Sequence, residues 1–326
     1  MSINNATVYR FSLASPEAFT LAAVEEALKR SAFLPCGPTA EESSGWEPPR
    51  GEANGAFVES IDGQWIARYA TESRTVPGSV LRRKVDERCA HIEATTGRKP
   101  GKKEKKELKE DVLLELLPMA FTKRGAVTVW LSRNDAEPGK SMLLIDTPSQ
   151  GRADAIVTSL VKCLEGFSVA LLQTATAPSA AMAQWLLTQE PPVGFTVDRE
   201  VELRVTDDSK AVVRYGNHPL DIEEVRGHIE SGKTPTRLAL TWDDRVSFEL
   251  TSGMTLRKIK LLEGTGDGAP GGKKEDNFDA DVAIATGELG LLIPALIEGL
   301  GGEGAFSGGK TATGEAERAE AEEAAA

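Results

Sequence analysis

Seven basic residues crowd twelve positions of the sequence: Arg98, Lys99, Lys102, Lys103, Lys105, Lys106 and Lys109, interrupted only by Glu104 and Glu107. A lysine ammonium is a compact charge suited to phosphate oxygens, although such a run equally makes a solvated helix face. A second basic set comprises Lys233, Arg237, Arg245, Arg257, Lys258 and Lys260. It falls on or between strand-like stretches, and strand alternation over Leu256–Leu261 puts Lys258 and Lys260 on one face. Phosphate contacts of this kind give affinity without reading bases. No recognition-helix or zinc-finger signature accompanies them, so the chemistry on offer is nucleic-acid binding with little sequence preference.

The remaining chemistry is thin. Gly304–Thr311 fits the phosphate-loop pattern GxxxxGK[ST] letter for letter. That loop needs a strand before it and a helix after it. Here a helical pattern precedes it and an acidic, alanine-rich tail follows, so a glycine-rich tail is expected. His91, His218 and His228 have no matched nucleophile or ligand spacing. Asp276, Asp279 and Asp281 cluster where a magnesium-dependent nuclease could use them, but acids at that place are expected as helix capping. No catalytic triad, zinc site or dinucleotide fingerprint is present. The expectation is a non-enzyme that needs no cofactor and no metal.

Composition sets the frame. The chain has 326 residues, 40% of them hydrophobic, and a net charge of −12. A negative total argues against a polyanion partner only when charge is spread evenly, and here it is segregated. The tail carries Glu315, Glu317, Glu320, Glu322 and Glu323 against Lys310 and Arg318. No window is expected to reach a membrane span, the start MSINNATVYRFSL lacks the regions of a signal peptide, and Cys36, Cys89 and Cys163 are odd in number and far apart. The expected setting is the reducing cytoplasm, with no membrane partner.

The elements that must position the lysines follow from periodicity. Thr7–Leu13 reads as a strand, and Ser15-Pro16-Glu17 as the start of a helix running to Arg30. Asp62-Gly63 between two alternating runs is a hairpin turn. Helices are expected over 79–94 and 102–117, joined by the Gly97–Gly101 break into a projecting helical hairpin. In the second, Leu108, Val112, Leu116 and Leu117 lie within reach of one face. Pro118 limits it and Phe121 follows. Strands at 127–132 and 142–146 precede a helix at 154–165, a strand at 168–172 and a helix at 179–187. Later strands are expected at 200–205, 211–214, 237–242, 246–250 and 256–261, with a helix at 221–231. A loop at 264–274 leads to a last helix from Asp281 to Leu300. The class is α+β with mixed strands and helices in several subdomains. These are a central unit of 1–76 and 122–175, a basic arm of 77–121, a second α+β unit of 176–303, and a disordered acidic tail of 304–326.

Several segments together resemble the recombination-associated RdgC family of bacterial DNA-binding proteins. They are Ala32–Gly37 (AFLPCG), Gly45–Pro49 (GWEPP), Lys105–Phe121 within EKKELKEDVLLELLPMAF, His228–Lys233 (HIESGK), Leu238–Trp242 (LALTW), Phe278–Asp281 (FDAD), Thr286–Leu289 (TGEL) and Leu296–Glu303 (LIEGLGGE). They occur in the family order from Val8 to Glu303. The resemblance implies a homodimer closed into a ring whose basic inner surface encircles double-stranded DNA. It further implies binding without sequence preference, association with the nucleoid and restraint of RecA-promoted strand exchange. The phenylalanine of the family's LLPxAF motif falls on Phe121, which the resemblance makes an interface residue; position alone equally suits a core residue closing the helix. Lys99 to Lys109, with Lys233, match basic family positions. The chain departs from the family at Tyr215–Pro219, where relatives can carry a basic-polar turn. Two alternatives differ in class: a protein-interaction module acting on a recombinase, and the nuclease.

Overall fold

The computed structural model describes residues 3–52, 54–205, 211–262 and 274–304. Among the described residues the strands join one antiparallel sheet of twelve, and with seven α-helices this makes the chain α+β. The first part of the sheet comprises β1 (Ala6–Leu13), β2 (Glu42–Glu47), β3 (Val58–Ile61), β4 (Gln64–Arg74), β5 (Thr122–Ser132), β6 (Met142–Ile145) and β7 (Phe167–Leu171). The second comprises β8 (Phe195–Val205), β9 (Val212–Tyr215), β10 (Lys233–Trp242), β11 (Val246–Thr251) and β12 (Thr255–Leu261). The order is β2-β4-β5-β6-β1-β12-β11-β10-β8-β9. One edge of β1 serves two neighbours: Ala6 and Thr7 pair with β12, and Tyr9 to Leu13 with β7. That shared strand joins the two parts of the sheet.

Period-2 burial sorts the core onto both faces. Tyr9, Ala67, Val129, Leu131, Leu143 and Ile145 face one side and pack under helices α1 (Leu21–Arg30) and α4 (Gln150–Cys163). Val8, Ile66, Trp130, Met142 and Leu144 face the other. There they continue into the apolar face of β8, β10, β11 and β12, covered by α5 (Pro178–Thr188), α6 (Glu223–Glu230) and α7 (Lys274–Gly299). The Asp62-Gly63 turn has φ of 49° and 76°, the left-handed pair that a two-residue hairpin needs.

Four expectations need correction. The first helix begins at Leu21, capped by the Thr20 hydroxyl, which accepts from the Ala23 N–H at 3.2 Å. Ser15–Ala18 forms a turn instead, because Phe19 must enter an aromatic cluster with Phe11, Trp65 and Phe167. The segment around Trp46, which reads as turn-rich in the sequence because Gly45, Pro48 and Pro49 flank it, is β2: six residue pairs tie it to β4, and Trp46 is fully buried. Simple alternation does not hold in β12. With Leu256 inward it would turn Lys258 inward too. Lys258 is instead the extra residue of a bulge, with φ 51°, and Ile259 takes the buried place. Finally, Phe278–Gly299 of α7 is long and apolar enough to cross a membrane. Its Val282, Leu289, Leu292, Ile293 and Leu296 are buried in the core. The 264–273 loop and nearly all of the GxxxxGK[ST] segment and tail lie outside the described residues.

Candidate nucleic-acid interface

The lysine run forms the helix α3 (Lys102–Leu116), which lies beside α2 (Gly78–Thr96). Gly97, at φ 71°, ends α2 by donating its N–H to the Glu93 carbonyl at 2.9 Å. Glu104 receives the Gly101 N–H at 3.4 Å and the Arg98 guanidinium at 3.0 Å, which fixes the entry to α3. The two helices are tied by Arg88, which grips both oxygens of Glu115 at 2.6 and 2.7 Å. Little of the pair is buried: Leu81 in α2 and Val112 in α3. Val80, Val85, Cys89 and Ile92, with Leu108 and Leu116, are half-buried.

The lysines divide into two groups. Lys103 and Lys106 sit 4.0 and 3.8 Å from Glu107 and Glu110, one turn along, and Lys99 is 3.6 Å from Glu93. Lys102, Lys105 and Lys109 are exposed and have no carboxylate within 4.0 Å among the described residues. Their spacing of i, i+3, i+7 is one stripe of the helix, and Val112 and Leu116 continue it. The same stripe is cationic where α3 has no body to pack on and apolar where it does.

Beyond α3 the chain makes a short 3-10 turn, Leu117–Met119, before β5. Leu117 is buried, whereas Phe121 is 94% exposed, Met119 72% and, from another loop, Leu34 71%. The core-residue alternative for Phe121 is thereby corrected: among the described residues nothing buries it. One guanidinium organises the area. Arg74 donates to the carbonyls of Leu117 (3.4 Å) and Ala120 (3.2 Å), and to those of Cys36 (3.3 Å) and Gly37 (3.1 Å). It thus joins the two segments that carry the exposed apolar residues. Arg74 was missed in the sequence, where it reads as an ordinary end-of-strand cation.

The second basic set does not join the first on one element. Lys233 begins β10 and donates to the Ser231 hydroxyl at 3.2 Å. Arg237 lies 3.9 Å from Glu202. Lys258 is held between Glu249 and Glu200, so its charge is answered inside the chain, and the bond to Glu249 first, then that to Glu200, raises its pKa. Lys260 is exposed on β12 with no carboxylate partner within 4.0 Å among the described residues. At the departing turn, Asn217 has φ 52° and the Tyr215 ring stands 5.8 Å from that of His218.

The chain matches the family model described as "Putative exonuclease, RdgC" over residues 1–303. It belongs to the RdgC family. A relative in Dechloromonas aromatica (strain RCB), named recombination-associated protein RdgC, is 40% identical over 308 residues, covering 93% of this chain and 98% of the relative. The protein of the same name in Herminiimonas arsenicoxydans is 39% identical over 305 residues, covering 93% and 99%. These RdgC relatives carry the name of recombination, whereas the family description also names an exonuclease. Of the acids considered for that chemistry, Asp279 is bonded to Arg50, which also pairs with Glu59 at 2.7 Å and lies 4.7 Å from the Phe278 ring. Among the described residues no group of three or more His, Cys, Asp or Glu is placed to hold a metal ion.

Proposed function

We propose that this RdgC-family protein binds double-stranded DNA without sequence preference, as a homodimer that closes into a ring around the duplex, and that by occupying DNA it restrains RecA-dependent recombination in the nucleoid of the cytoplasm. The observation that carries the reading is the stripe Lys102, Lys105, Lys109: three cations on one exposed helix face, with no carboxylate within 4.0 Å among the described residues. Charges so placed meet phosphates and release counterions. Helix α3, beside α2, carries them exposed on an otherwise acidic chain. Phe121, Met119 and Leu34 support the second half of the proposal. Aromatic residues enriched at interfaces act as anchors there, and a second copy would cover these in a self-complementary contact. The relatives' names support a place in recombination.

The test is titration of a duplex with the purified full chain at several salt concentrations, on linear and closed circular DNA, with magnesium present. The proposal expects steep salt dependence, indifference to sequence, longer retention on circles and intact DNA at the end. Salt-independent binding would remove it, and progressive loss of nucleotides from DNA ends would favour the exonuclease named in the family description.

A further inference from the structure

The face of β8, β9, β10 and β12 turned away from the core holds a shallow groove of about 240 Å³, lined by Arg214, Arg237 and Lys258 and by the carboxylates of Glu200, Glu202 and Glu249. Val201 and Leu203 point into the core, so Glu202 points to the other face, yet it is only 4% exposed. Three donors converge on it. The Nε of Arg204 and the hydroxyl of Thr236 each reach Oε1 at 2.8 Å, and the Nε of Arg214 reaches Oε2 at 2.7 Å. Arg237 stands 3.9 Å away. Burial works to raise this carboxyl's pKa, but the bonds from Arg214, Thr236 and Arg204 and the charge of Arg237 outweigh it and hold it at about 2. Glu202 is therefore ionised at neutral pH.

The arginines are anchored but not consumed. Arg204 and Arg214 meet the carboxylate through Nε, and their side chains remain 47% and 67% exposed. Each keeps the end of its guanidinium for an acceptor on the solvent side, where the planar fork suits a phosphate. The neighbouring acids are partly answered: the bulge at Lys258, a left-handed position for a side chain that rarely takes one, delivers one ammonium between Glu249 and Glu200. We propose that Arg204, Arg214 and Arg237 form a second phosphate contact for the DNA duplex, separate from α3, and that Glu202 is the positioning residue that fans them. This rests on the duplex binding proposed above and names further residues for it.

Glu202 gives the idea an opposite sign from simple electrostatics. Glu202→Gln makes the chain more positive, so a mere charge effect would tighten DNA binding; loss of positioning weakens it. The comparison is Glu200→Gln, the same charge change at an exposed side chain, measured by fluorescence anisotropy with a duplex oligonucleotide at 15 °C. We expect Glu202→Gln to bind severalfold more weakly than both the parent and Glu200→Gln; equal or tighter binding overturns the proposal. Should that variant fail to fold, Arg204→Gln and Arg214→Gln change exposed groups. Each is expected to lower the slope of log K against log salt by about 0.9, the loss of one phosphate contact. An unchanged slope in both overturns the proposal, whereas a parent protein without salt-dependent binding would instead overturn the function on which it rests.

Discussion

Phe121→Ala separates an interface anchor from a structural residue. The ring is 94% exposed, so within one chain its removal breaks no packing. Surface substitutions of that kind change folding stability by about 0.5 kcal/mol or less. At a dimer contact the outcome is different. Covering roughly 150 Å² of the ring is worth up to about 4 kcal/mol by area. Truncated aromatic anchors typically cost about 2 kcal/mol or more. A two-fold contact counts the residue twice, giving about 4 kcal/mol per contact, or roughly a thousandfold in the dimer constant. The assay is sedimentation across a dilution series, beside thermal unfolding and retention on closed circular DNA. We expect an unchanged unfolding temperature, dissociation at far higher protein concentration than the parent, and faster loss from circles. A variant that melts several degrees lower yet dimerises and holds circles like the parent would refute the reasoning.

Other substitutions probe other parts of the account. Changing Lys102, Lys105 and Lys109 together to Glu should weaken duplex binding more than changing Lys103 and Lys106, whose charges Glu107 and Glu110 partly answer; circular dichroism should show both variants folded. Glu202 carries a pH dependence: its folded pKa, about 2, lies below the ordinary 4.5, so its stabilisation is complete above pH 4.5 and is lost as pH falls towards 2. A gap of this size is worth about 3 kcal/mol, and in acid denaturation Glu202→Gln should be flatter than the parent across that window. Arg50→Ala removes the bonds to Glu59 and Asp279 and the contact with Phe278, and should lower the unfolding temperature by several degrees in calorimetry. Ending the chain after Glu303 keeps the Glu303 bond to Arg10 and removes a net negative tail; DNA affinity measured at low salt should hold or rise.

The sequence is most legible where local chemistry decides the structure. Asp62-Gly63 announced its turn, and Gly97 and Pro118 bounded α2 and α3. It misled where tertiary demands override local preference. Pro16 looks like a helix start, but burying Phe19 among aromatic rings moves the start to Leu21. Gly45-Trp46 looks like a turn, but Trp46 is held as a strand by β4, far along the chain. The bulge at Lys258 has no local signal, since only pairing with β11 shows the extra residue. For the candidate site, the charge of α3 was readable, but which lysines are answered by carboxylates depends on helix geometry. The roles of Arg74 and Glu202 depend on segments distant in sequence that only the fold brings together. Family motifs singled out Phe121 as a proposed contact, which spacing alone did not.

The central claim is tested most directly by the salt dependence of binding between the full chain and an arbitrary duplex, compared with the Lys102, Lys105, Lys109 triple Glu variant. If three lysines meet phosphates, the log K against log salt slope of the parent should be steep and that of the variant shallower by about 2.7, three contacts at about 0.9 each. The parent slope should be the same for unrelated sequences. Equal slopes for parent and variant, or binding confined to one sequence, would contradict the account.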